Sequence, residues 1–256
     1  MGPTASLGSK GNIAPRQRID VTEPRAISEA LWVSSDVTIL VAFIARGLPG
    51  SWHTTLVGFV FLASTWVLVW SGDDDRVRRA GLALGGLVLP AEQPFKVLLG
   101  KAAVAVGWAL GLAAIVAVPF FFGWRYWWAQ SAPRMAFSLS VRPLELANEA
   151  AGQLFVIALP EEAFYRGYLQ SRLDEAWPPR WRFVGASVGP GWLGASAIFA
   201  IGHLATVHAP TRLAVFFPAL LFGWLRARTG GIGASACFHA VCNLYSEALG
   251  RGYGIY

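Results

Sequence analysis

Glu161, Glu162 and Arg166 place two adjacent carboxylates and a guanidinium within six residues, directly after the apolar run Gln153-Leu154-Phe155-Val156-Ile157-Ala158-Leu159-Pro160. At the centre of a bilayer each ionisable group costs roughly 2.5–3.5 kcal/mol, so such groups pair, face water or carry chemistry. Glu162 and Arg166 are four apart with the acid first, the order that favours an ion pair on one helix face. Glu161 lies about 100° round the helix and is left to face a different environment. Pro160 removes a backbone donor just before the acids, can kink the helix there and frees a carbonyl. The competing structural reading is that the acids and the arginine only glue helices together.

Two other apolar segments carry polar groups. Phe199-Ala200-Ile201-Gly202-His203 puts an imidazole behind small and apolar residues, where an interhelical hydrogen bond is the alternative to catalysis. His239 and Asn243 are four apart and share a helix face, with Glu247 one turn further towards the membrane edge. His208 reads as an interfacial residue. A carboxylate, two imidazoles and an amide around one buried cavity suit hydrolysis of an amide bond. Glu161 can take a proton from water as general base. His203 can position that water or shuttle its proton, and Arg166 orients Glu162 and balances its charge. His239 and Asn243 can donate to the oxyanion of a tetrahedral intermediate, where losing one donor costs about 10²–10³ in rate. One glutamate and two histidines also form a known zinc ligand set. His-Glu-x-x-His is absent, however, and Asn243 suits an oxyanion better than zinc. No cofactor is therefore expected, with catalytic zinc as the alternative. Cys242 lies on a different helix face from this set, and Gly-x-Ser-x-Gly does not occur.

The elements that must position these groups are membrane helices. Of 256 residues, 55% are hydrophobic and only 14% charged, against about a quarter charged in soluble domains; mean hydropathy is +0.47. The expected fold class is all-α: a polytopic transmembrane helix bundle of about seven spans with a polar intramembrane cavity. The spans fall near 28–45, 54–71, 97–123, 149–170, 191–208, 212–228 and 232–249, and most of the 12 tryptophans lie near their ends. Residues 1–27 are polar, carry three prolines and four basic residues without an apolar core, and are expected to form a disordered cytosolic tail. Residues 28–256 form the helical domain. Gly81–Pro90 is apolar but too short to cross and reads as a re-entrant or interfacial piece. Cys237 and Cys242 point in different directions on one helix, so no disulfide between them is expected.

With the N-terminus inside, fourteen lysines and arginines fall in inside segments and six outside, which favours an N-in, C-out orientation. The net charge of +6 is accounted for by such loops rather than by nucleic acid. Counting 1.5 Å per residue from the span ends places Glu161 about 12 Å, His203 ~18 Å, His239 ~10 Å and Asn243 ~16 Å from the inner face. All four then share one layer of the inner half-membrane. The excess of arginine over lysine, 18 to 3, fits a GC-rich genome, and a bacterial plasma membrane is the expected location.

Glu-Glu-x-x-x-Arg (Glu161, Glu162, Arg166), Phe-x-x-x-His (Phe199, His203) and His-x-x-x-Asn (His239, Asn243), in this order over residues 149–249, resemble the CPBP intramembrane proteases. That family includes the type II CAAX prenyl proteases and bacteriocin-processing or immunity-associated membrane proteins. The resemblance implies a glutamate-dependent endopeptidase with a cavity in the membrane. It casts Glu161 and His203 as water-activating, His239 and Asn243 as the oxyanion hole, and Glu162 and Arg166 in support, with no catalytic metal. Cys242 beside Asn243, followed by Ser246-Glu247 and a Gly- and Tyr-rich end, is also similar to the bacterial myxosortase subgroup.

The leading expectation is an intramembrane endopeptidase cutting near the C-terminus of membrane-anchored protein substrates, with no nucleic-acid partner. A non-proteolytic binding or immunity protein using the same cavity, and a transporter using the buried acids as a proton relay, are the alternatives. Substrate identity and oligomeric state are not legible in the sequence.

Overall fold

The computed structural model describes residues 22–48, 52–84, 94–128 and 136–255. The expected tail lies outside these residues up to position 21, but 22–27 are helical, because α1 runs Thr22–Gly47. The re-entrant segment expected at Gly81–Pro90 is described only to residue 84 and lies otherwise outside.

Helix α1 shows how the bundle is built. Ala26, Ala30, Ser34, Val37 and Val41 form one buried stripe, while Trp32, Ile39 and Phe43 on other faces are about 70% exposed. Small residues face the other helices and large apolar ones face outward, which lets backbones approach closely in lipid. Helix α2 (Trp52–Thr65) follows and continues as a π-wound turn, Trp66–Trp70. The short α3 (Asp74–Arg79) is capped by the Asp73 carboxylate, which accepts from the Arg76 backbone N–H at 2.6 Å. Helix α4 (Phe95–Trp128) packs on the C-terminal helix and is otherwise almost wholly exposed. Its Ala117 carbonyl accepts from the Tyr245 hydroxyl at 3.3 Å.

The acid-bearing segment is one continuous helical stretch, 143–176, wound in five pieces. These are α5 (Pro143–Ala151), a π-wound Gly152–Ala158, α6 (Leu159–Glu162), a second π-wound Ala163–Gln170, and α7 (Ser171–Ala176). Single π turns are often found at functional sites, and here they flank both glutamates. Helices α8 (Pro190–Thr206), α9 (Phe216–Thr229) and α10 (Gly233–Gly252) complete the bundle. α9 ends on Gly230 at φ +74°, a left-handed cap that Gly accepts without steric cost. Both cysteines are free.

Three helical stretches are long and apolar enough to cross a membrane by length and composition, Pro24–Gly47, Trp52–Trp70 and Phe95–Tyr126. The other four expected spans correspond to 143–176, α8, α9 and α10, which carry the polar groups and fall short on that criterion. The bundle is a membrane-type helix assembly, with one departure from all-α. Strands β1 (Trp181–Phe183) and β2 (Ala186–Val188) pair antiparallel, Trp181 opposite Val188 and Phe183 opposite Ala186. Both turn residues, Val184 and Gly185, have positive φ, as a two-residue hairpin turn of this hand requires. The hairpin was not legible because each strand is only three residues long. The Phe183 carbonyl, accepting from the Trp224 indole at 3.0 Å, holds it to α9.

One close approach fixes the acid helix against α2. Pro160 cannot donate to the carbonyl of Val156, and that carbonyl lies against Gly58, where an added Cβ would stand 2.4 Å from the oxygen. Gly58→Ala is therefore expected to lower stability by about 1–3 kcal/mol, read as a drop in melting temperature of the detergent-solubilised protein.

Candidate active site

Glu162 and Arg166 form the ion pair expected from their spacing, Oε1 to Nη1 at 3.2 Å, with both side chains fully buried. The Arg166 Nη2 also donates to the Ala219 carbonyl of α9 at 3.1 Å. The guanidinium lies over the Phe199 ring at 4.5 Å and near Phe222 at 5.2 Å. A buried cation is thus met by a carboxylate, a carbonyl and two aromatic faces. Phe199 supports the site in this way, and its ring also packs on His203 with centroids 4.4 Å apart.

His239 reaches this pair from α10. Its Nδ1 stands 3.0 Å from Glu162 Oε1, and a carboxylate held by arginine only accepts, so Nδ1 carries the proton. The Phe222 ring stacks on the imidazole at 4.5 Å and 14°. The ring is thereby fixed in orientation, and its Nε2 lies 3.9 Å from Glu161 Oε2. That separation is too long for a direct hydrogen bond and short enough for one water or substrate oxygen to touch both. Glu161 Oε2 is itself buried and receives no hydrogen bond from any described residue.

Glu161 and His203 line one cavity of about 430 Å³, enclosed by α1, α2, the acid helix and α8. The His203 Nδ1 is 3.0 Å from the Phe199 carbonyl. A carbonyl cannot donate, so Nδ1 carries a proton, and in the neutral ring Nε2 keeps its lone pair. Tyr165, one turn after Glu161, also lines the cavity. Its hydroxyl occupies the space beside Gly202, where a Cβ would stand 2.8 Å away. The hydroxyl was missed in the sequence, although its i+4 spacing from Glu161 signals a shared face.

Asn243 sits one turn beyond His239 and donates from Nδ2 to Gln153 Oε1 at 2.9 Å. Gln153 stands at the start of the first π-wound stretch; a lone amide in an otherwise apolar run was the available signal. Gln153→Leu would release the Asn243 carboxamide. The expected result is a kcat lower by about 5-fold with KM little changed, since one neutral hydrogen bond of about 1 kcal/mol orients the amide. Phe222, by contrast, has no sequence signal, because it acts only by its place against His239. Glu247 lies outside the cluster, bound to Arg251 at 2.9 Å, and His208 is exposed and accepts from Arg46 at 2.6 Å. No three His, Cys, Asp or Glu side chains among the described residues are grouped to hold one metal ion.

The cavity lies towards one end of the bundle. Its walls run through Ala45, His53, Thr206, Val207 and Arg212, at the end of the bundle where α1 meets α2 and α8 ends. α8 stops three residues after His203.

A model of the family described as type II CAAX prenyl endopeptidase Rce1-like matches residues 144–245. No curated protein and no solved structure matches the chain. The family match supports a protease, and together with the apolar helices it supports an integral membrane protein. The matched segment 144–245 carries Glu161, His203, His239 and Asn243, and its similarity to the Rce1-like type II CAAX prenyl endopeptidases is consistent with the CPBP resemblance of the three motifs.

Proposed function

We propose that this protein is an intramembrane endopeptidase that uses Glu161 as general base to hydrolyse a peptide bond near the C-terminus of membrane-anchored proteins. One observation carries the reading: a buried Glu161 carboxylate oxygen without a donor among the described residues faces His239 Nε2 at 3.9 Å, and Glu161 lines one cavity with His203. A water on Glu161 loses its proton to the carboxylate as its oxygen attacks the scissile carbonyl carbon. The lone pair on His203 Nε2 accepts the water's other hydrogen and aims the attack. His239 donates to the developing oxyanion from Nε2, which requires both ring nitrogens to carry protons, since Nδ1 already donates to Glu162. Glu162 supplies the counter-charge, and Arg166 fixes Glu162. Asn243 supplies the second donor from the N–H that Gln153 does not occupy. Glu161 then returns its proton to the leaving amine. The step needs no metal or cofactor.

The protein is proposed to lie in a bacterial plasma membrane with its N-terminus in the cytosol. Comparative mass spectrometry of membrane-protein C-termini, in cells carrying the wild type or Glu161→Gln, tests the reading. Substrates should accumulate uncut in the variant, and the purified enzyme should keep its rate in a chelator. Full processing by Glu161→Gln would refute the base assignment, and loss of rate on chelation restored by zinc would favour the metal alternative.

A further inference from the structure

The hairpin β1–β2 joins the acid helix to α8 at the end of the bundle away from the cavity, and its two faces differ. Its register sets Trp181 opposite Val188, Phe183 opposite Ala186 and Arg182 opposite Ser187. Strand residues alternate between faces, so Trp181, Phe183, Ala186 and Val188 share one face, and Arg180, Arg182 and Ser187 the other. On the apolar face β2 is covered: Ala186 and Val188 are buried, with β2 packed on α9. β1 overhangs, leaving Trp181 46% and Phe183 53% exposed. The turn adds Val184, 68% exposed and held at φ +43°. Asn, Asp or Gly suits that turn position, and a β-branched residue there is exceptional. The tip is thus apolar where the backbone alone favours a polar or absent side chain.

Charge is equally one-sided. Arg180 and Arg182 are exposed, and no aspartate or glutamate occurs between Glu175 and Glu247, so neither the hairpin nor α9 beneath it supplies a counter-charge. Glu175 itself is bonded to Arg172 at 2.7 Å. The charged α3 meets the same end of α9, where Arg226 donates to the Arg79 carbonyl at 2.9 Å; so polar a turn marks the membrane surface. Arg228, against the Gly185 turn, lies over Trp108 of α4 at 5.2 Å. The overhang therefore adjoins the outward apolar surface of α4, and lipid is what it meets.

We propose that the hairpin lies flat in the headgroup layer and binds anionic phospholipid. Trp181, Phe183 and Val184 enter the acyl boundary, and Arg180 and Arg182 reach the phosphates and negative headgroups above it. The test uses the full-length chain with Cys237→Ala and Cys242→Ala, labelled with the fluorophore NBD at Val184→Cys or Ser187→Cys. Cys237→Ser/Cys242→Ser serves as a second background. The protein is reconstituted in nanodiscs of equimolar phosphatidylcholine and phosphatidylglycerol. The label at 184 should be quenched by lipid-borne nitroxide and be about 3-fold less accessible to iodide than the label at 187. Nitroxide carried on phosphatidylglycerol should quench the label at 184 about 2–5-fold more than the same amount carried on phosphatidylcholine. Arg180→Gln/Arg182→Gln should remove that preference. Arg78→Gln, whose arginine pairs with Asp74, should leave it intact. Equal iodide quenching at both positions would put the hairpin in water and overturn the proposal. Access to 184 by neither quencher also overturns it and assigns the face to another protein chain. Equal quenching by the two lipids, or a preference that survives the double arginine variant, removes the anionic-lipid assignment.

Discussion

Glu161→Gln is expected to lower kcat by about 10²–10⁴-fold while the protein inserts and melts as the wild type does. The two halves of this expectation have separate grounds. The rate falls because an amide cannot take a proton from water, although it fills the same space. Stability holds because Glu161 Oε2 has no hydrogen-bond donor among the described residues, so the amide breaks no bond at that atom. Initial rates with a processed substrate and a thermal melt in detergent check both halves. A large fall in melting temperature would show that Glu161 is structural and would undo the division of labour between the two glutamates.

Arg166→Met is expected to have the opposite profile, with stability lower by about 3–5 kcal/mol and activity lost as a consequence. Removing the guanidinium leaves Glu162 fully buried with only His239 opposite. It also removes the contacts to the Ala219 carbonyl and to the Phe199 and Phe222 faces. The double variant Glu162→Gln/Arg166→Met removes the stranded charge and should recover much of the stability, while remaining slow because His239 Nδ1 no longer has the Glu162 carboxylate as its counter-charge. Melting temperatures and kcat for the two single variants and the double give the coupling directly. Recovery of both stability and rate in the double variant would show that the pair only holds helices together.

The contrast between these glutamates was legible in the chain because it depends on local helix geometry. An i, i+4 pair and a neighbour 100° round the helix follow from 3.6 residues per turn, whatever the rest of the bundle does, and the structure forms the Glu162–Arg166 pair accordingly. The helical class was likewise set by composition, because so apolar a chain must satisfy its backbone internally in lipid. Boundaries were less secure, since hydropathy reads where a segment enters lipid and not where hydrogen bonding begins. α1 therefore starts at Thr22, earlier than its apolar run.

Contacts between distant segments were decided only by packing. His239 meets Glu162 across 77 positions and Asn243 meets Gln153 across 90. No periodicity in either segment specifies which nitrogen of the ring is occupied or which way the amide turns. The same holds for Phe222, whose stacking fixes the imidazole plane, and for the end of the bundle at which the cavity opens. The sequence by itself determined the chemical groups, their order and the helix faces they occupy, because those depend on the repeat of one helix. Only the tertiary structure decided their partners, tautomers and access to substrate, because these arise where helices far apart in the chain come within hydrogen-bonding distance.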